Sequence, residues 1–136
     1  MKKPFAILCA ATIAAAALLP FTANSVFASV PRYAFETEDG KWDGHVYNPE
    51  VVGDVEIVLV HPLYAKYTNG KTVKLKDTSK LWVRLCEANT RTCTAYYNLA
   101  SGKAQFDNVQ VGHFYVDVKD ELPNAHVSGQ LDVVFK

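Results

Sequence analysis

The chain has no run of like charge: 14 Lys and Arg stand against 14 Asp and Glu, dispersed over 136 residues. With no basic block to displace counterions from a phosphate backbone or to sit on anionic lipid, neither nucleic acid nor a membrane surface is an expected partner. Apolar runs are scarce as well. Beyond residue 28 nothing approaches the ~20 apolar residues of a spanning helix, and no window has helical periodicity of useful length. Only three cysteines occur, with no Cys-x-x-Cys, no Gly-x-Ser-x-Gly, no His-x-His and no His-x-x-x-His. Redox, serine-hydrolase and short-spaced zinc chemistry therefore have no motif to rest on, and no catalytic residue, metal or cofactor is expected. A repeat of fixed period and a low-complexity linker are missing too.

What is present begins with a leader. Lys2 and Lys3 precede an apolar run from Phe5 to Leu19, and small residues close the segment at Val26-Phe27-Ala28. These are the three parts of a secretory signal. Pro20 and the polar Thr22, Asn24 and Ser25 hold the apolar run to about fifteen residues, too short to anchor in a bilayer. Cleavage is expected after Ala28, leaving a single domain at residues 29–136 that is secreted or held in the cell envelope, with no membrane span. That form has 108 residues, enough for one two-layer core, and carries 12 Lys and Arg against 14 acids.

Cys9 leaves with the leader, so Cys86 and Cys93 remain as an isolated pair in an oxidising compartment and are expected to form a disulfide. If the link turns at Asn89-Thr90, the two cysteines lie directly opposite each other, with Cα atoms ~5.5 Å apart as a hydrogen-bonded pair. The same register sets Trp82 opposite Tyr97, with Arg84 on their face. Two readings of that face are open. It is a wet platform on which Trp82, Arg84 and Tyr97 bind a sugar ring or a protein partner, or it is buried, with Trp82 packed on the disulfide. Tyr33, Trp42, Tyr47, Tyr64 and Tyr67 form a second aromatic group with the same ambiguity.

Strand signals fill the rest. Asp39-Gly40 lies between Arg32 to Glu38 and Lys41 to Tyr47, and Asn69-Gly70 between Tyr64 to Thr68 and Lys71 to Lys76; both dipeptides predict tight hairpins. Asp54 to His61 reads as a central, mostly buried strand in which only Glu56 makes one face polar, closed by His61-Pro62. Val73 and Leu75 should face inward and Lys74 and Lys76 outward. Leu81, Val83 and Leu85 share one face, as do Leu131, Val133 and Phe135 near the end. Turn signals every eight to twelve residues or so predict an all-β fold, an antiparallel sandwich or a closed barrel.

The run from Gly102 to Val118 narrows this. Gly102, Phe106, Val109, Gly112, Phe114, Val116 and Val118 follow the pattern of the prealbumin-like domains, which include the carboxypeptidase regulatory-like and collagen-adhesin B-type repeats: a glycine, an alternating strand ending in Phe, a turn, a glycine, then an aromatic and apolar alternation. Upstream, Asn69-Gly70-Lys71 and Leu81-Trp82-Val83-Arg84-Leu85 resemble that family's earlier strands, with a longer insertion. The resemblance covers about half of residues 29–136. It implies a single antiparallel Greek-key β-sandwich of about seven strands, prealbumin- or Ig-like, acting as a non-catalytic module that binds or spaces at a cell surface. The Lys, Asn and acid trio of some adhesin repeats has no match, because the last strand carries Asp132 and no early strand buries a lysine. Gly112 should take positive φ in the turn that carries Phe106 to Phe114.

Other polar candidates are weaker. His45, His61, His113 and His126 are scattered, and alternation alone does not say which of them a sheet would bring together. Glu36, Glu38, Asp39 and Asp43 could hold Ca²⁺, but they lack EF-hand order, and turn acids are ordinarily solvated. The Cys86 to Cys93 loop offers Arg91 to a trypsin-like protease, which makes a small disulfide-containing inhibitor or toxin-like effector the alternative to a binding module.

Overall fold

Residues that alternate apolar with polar become strand throughout a computed structural model that describes residues 30–48 and 52–136. The expected leader and Cys9 lie outside the described residues. The strands are β1 (Arg32–Glu36), β2 (Gly44–Asn48), β3 (Gly53–Tyr67), β4 (Thr72–Leu75), β5 (Leu81–Glu87), β6 (Tyr97–Asn98), β7 (Lys103–Val109), β8 (Gly112–Asp120) and β9 (Ala125–Phe135), and no helix occurs among the described residues. The all-β class holds, but there are nine strands rather than about seven.

Two antiparallel sheets form a sandwich-like pair. One has the order β1-β9-β3-β4, with β7 also on β3, and the other β2-β8-β5-β6. Val55, Ile57, Leu59, Leu131 and Val133 of the first sheet share one core with Leu81, Val83, Leu85, Val116 and Val118 of the second. Burying these branched side chains between two pleated faces is the main stabilising term, at about 1.5–3 kcal/mol each before chain entropy is subtracted.

β3 is the spine. One side bonds to β9 along nearly its full length, while the other bonds to β7 over Gly53 to Val58 and to β4 over Leu63 to Lys66. His61-Pro62 does not close the strand as expected. Its peptide is cis, and the ladder with β9 resumes beyond it, from Val60↔Gln130 to Tyr64↔Ser128. Two extra residues stand on β3, so the bulge absorbs a proline that could not donate to the ladder without changing the parity of the strand. Val55, Ile57 and Leu59 before it and Leu63 and Ala65 after it all face the core. Glu56, on the opposite face, is 8% exposed between Lys103 and Lys136, at 3.5 and 3.6 Å. The Asn69-Gly70 hairpin forms as expected, with Gly70 at φ 91°. Val73 is exposed, because it pairs with Ala65 at the sheet's edge.

Asp39-Gly40, by contrast, does not make a hairpin. β1 pairs with β9 and β2 with β8, so residues 37–43 cross from one sheet to the other. Two buried polar side chains pin this crossover. Thr37 Oγ1 accepts the Val127 N–H of β9 at 2.8 Å and donates to Asp120 of β8, while Asp43 Oδ2 accepts the Val118 N–H of β8 at 2.7 Å. A hairpin dipeptide signals a tight turn and says nothing about whether the flanking strands pair.

Residues 110 and 111 also carry the chain between sheets, from β7 on β3 to β8 on β5 and β2. Phe106 is buried and Phe114 packs partly buried on the same core. Gly112 has φ 146°, as the sequence led us to expect, and a Cβ there would meet only Phe114 Cε2 at 3.8 Å. The cost of a side chain is therefore conformational rather than steric. Gly112→Ala should lower stability by about 1 kcal/mol or more, read as a shift in the denaturation midpoint. An unchanged midpoint would mean the backbone relaxes to negative φ at no cost.

Candidate functional site

The outer face of the four-stranded sheet gathers most of the chemistry. Strand parity puts His45 and Tyr47 of β2, His113, Tyr115, Asp117 and Lys119 of β8, and Trp82, Arg84 and Cys86 of β5 on one side, while their neighbours Val46, Val83 and Val116 fill the core. Cross-strand pairing then orders them: His45 beside Tyr115, Tyr47 beside His113, Cys86 beside Tyr115, Arg84 beside Asp117 and Trp82 beside Lys119.

One end of this face is aromatic. Trp42, just before β2, stacks on Tyr115 with ring centres 4.8 Å apart and planes 5° from parallel. His45 Nδ1 and His113 Nε2 are 2.9 Å apart and share one hydrogen bond. Tyr47, 65% exposed, stands edge-on to His113, and Trp42 is 39% exposed. The other end is charged. Arg84 Nε donates to Asp117 Oδ2 at 2.8 Å, the Tyr96 hydroxyl donates to the same oxygen at 3.0 Å, and Arg84 and Lys119 both lie over the Tyr96 ring at 4.6 and 4.3 Å. Burial, with the bond to Asp117, raises the Tyr96 pKa. Trp82 Nε1 donates to Glu121 Oε1 at 2.9 Å.

Trp82 and Arg84 thus lie together, half-buried against their neighbours on this face, but Tyr97 does not join them. The observed pairs are Trp82↔Asn98 and Val83↔Tyr97. Cys86 still faces Cys93, so the chain gains one residue between Cys93 and Tyr97 and the expected register slips. A slip of one residue sends a side chain to the opposite face. Tyr97 therefore leaves the platform and stacks on Phe106 at 4.5 Å, while Tyr96 joins the platform against Arg84 and Lys119. The shift arises where Thr94 bonds to Leu85 through both its N–H and its hydroxyl, a side-chain contact that alternation cannot reveal.

The Cys86–Cys93 disulfide forms, with an S–S distance of 2.08 Å, at the middle of the face. Its Cα atoms are 3.9 Å apart rather than ~5.5 Å. The flanking bonds, Glu87 N–H to Thr92 and Thr94 N–H to Leu85, make it a non-hydrogen-bonded pair, the closer of the two cross-strand sites. Closing so short a loop contributes about 2 to 3 kcal/mol in the chain-entropy account.

Beside Trp42 the crossover 37–43 and β8 enclose a cleft of about 340 Å³, lined by Glu36, Glu38, Asp39, Asp43 and Asp117 with Lys41 and Lys119. Asp43 is 4% exposed there. Burial, opposed by the Val118 N–H and aided by Asp117 and Asp39, pushes its pKa up to about 7. The acids do not converge on a cation. Glu36 pairs with His126 at 2.8 Å, and among the described residues no group of three or more His, Cys, Asp or Glu is placed to hold a metal ion. No helix among the described residues is long and apolar enough to cross a membrane.

Comparison with known protein families, curated proteins and solved structures finds no match for this chain.

Proposed function

We propose that the chain is a secreted, non-catalytic binding module, a Greek-key sandwich of prealbumin-like kind, that takes a glycan or protein ligand at the cell surface on the outer face of its four-stranded sheet. The observation that carries this reading is the parallel stack of Trp42 on Tyr115, on the same face as the exposed Tyr47. A flat, accessible aromatic plane meets the apolar face of a sugar ring, and the Arg84–Asp117 pair supplies donors and acceptors for its hydroxyls. A protein hot spot would use the same groups.

Binding of purified chain to a panel of cell-wall polysaccharides, with Trp42→Ala beside it, tests the glycan reading. Wild type should be retained by at least one polymer, and the variant should bind it about tenfold or more weakly. Equal retention of the two would remove Trp42 from the site.

The inhibitor alternative draws on the exposed Cys86–Cys93 loop. Arg91, however, has φ 63° and its N–H is bonded to Glu87 O, a closed turn rather than the extended strand that a peptide adds to a binding groove. The binding module is the better supported reading.

A further inference from the structure

We propose that His45 and His113 form a two-point site for a divalent transition metal ion, with copper preferred. The two histidines are far apart in sequence, but the register of β2 on β8 makes them diagonal neighbours on one face. Their facing nitrogens are 2.9 Å apart. Two imidazole nitrogens each about 2 Å from one ion and at a right angle to each other are separated by about that distance, which matches adjacent positions of a tetragonal Cu²⁺ or Ni²⁺ centre.

The rings are held for this task on both sides. Tyr115 lies 5.3 Å from His45 and 5.2 Å from His113, Tyr33 flanks His45 at 5.8 Å, and Tyr47 flanks His113 at 6.3 Å. Ring packing of this kind restricts the rotamers that a free surface histidine would sample, so less entropy is lost when an ion binds. As they stand, the two nitrogens share one hydrogen bond. For both to bind the ion, the donating ring moves its proton to its other nitrogen, and a neutral pair releases no net proton. No third His, Cys, Asp or Glu of the described residues joins them, so water completes the coordination. Copper heads the order of affinity for such a nitrogen site. The site stands whether or not the platform takes a glycan.

Titration of Cu²⁺ into the full chain without an added histidine tag, followed by calorimetry and electron paramagnetic resonance, tests the proposal. One equivalent should bind tightly, with a spectrum split by two imidazole nitrogens. His45→Gln and His113→Gln should each weaken that equivalent about a hundredfold, the gain of two-point over one-point attachment, while His61→Gln on the exposed bulge should not change it. Affinity that survives in the His45→Gln/His113→Gln double variant overturns the site. A wild-type spectrum with fewer than two imidazole nitrogens overturns it too, even if a variant fails to fold.

Discussion

Between pH 5 and pH 8 the wild-type protein should lose about 2 kcal/mol of stability that Asp43→Asn does not lose. Asp43 is buried in the crossover with its pKa pushed up to about 7, whereas in the unfolded chain it titrates at about 3.9. From pH 5 to about pH 7 the folded protein therefore holds a proton that the unfolded chain has released, and above that it gives the proton up as well. Stability from this group is complete below about pH 4 and falls as pH rises through 7, the reverse of a salt-bridged carboxylate. Asn copies the protonated acid and keeps an oxygen for the Val118 N–H, which Asp43 Oδ2 accepts at 2.7 Å. Denaturant midpoints taken across the window in both proteins measure the difference, and parallel slopes would show that other groups set the pH response. The His126–Glu36 pair is common to both proteins and cancels in the comparison.

Gly129→Ala should destabilise the fold by about 2 to 3 kcal/mol. Gly129 lies on β9 opposite the bulge, and a Cβ built there falls 2.3 Å from Leu63 Cδ2 and 3.4 Å from Phe35 Cε1. Leu63 is fully buried, so its methyl cannot swing aside into water. The glycine provides space for the first core residue after the bulge rather than backbone freedom. Leu63→Ala alone should also cost about 2 kcal/mol or more by opening a cavity. The combined variant should cost less than the sum of the two, because the new methyl enters the space that the old one leaves. Strict additivity of the two losses would show that they do not compete for one space.

Much of the fold was legible because strand parity is a local property. Leu81, Val83 and Leu85 read as sharing one face, and that face is buried. The Asn69-Gly70 turn, the cysteine pairing and the conformation of Gly112 were visible for the same reason, each depending on residues close in sequence. Sheet partners were not legible. Arg32 to Glu36 alternates in the same way whether its neighbour is β2 or β9, and only the burial of Thr37 and Asp43 in the link separates the two. At Pro62 the expected end of the strand does not occur, because a two-residue bulge lets β3 continue. The candidate site suffered most from register. One added residue before Tyr97 exchanged Tyr97 for Tyr96, and the approach of His45 to His113 depends on a pairing across 68 residues that no spacing rule contains. Trp42 and Tyr47 are plain in the sequence as aromatics, yet nothing in it stacks Trp42 on Tyr115.

The place of β9 in the first sheet bears on how the chain is made. β9 lies between β1 and β3, with Arg32 opposite Asp132 and Ile57 opposite Val133, so the strands synthesised earliest wait for one synthesised after all of them. Until residues 125–135 emerge from the ribosome, β3 presents an open edge up to fifteen residues long, the kind of edge that recruits a second chain. Contacts this distant in sequence also slow the search for the native state, toward the millisecond-to-second range of all-β domains. Any nascent chain that stalls before Ala125 has its spine laid down with β4 and β7 on one side and nothing to bond along the other, which leaves the strand that later organises the core with an edge open to aggregation.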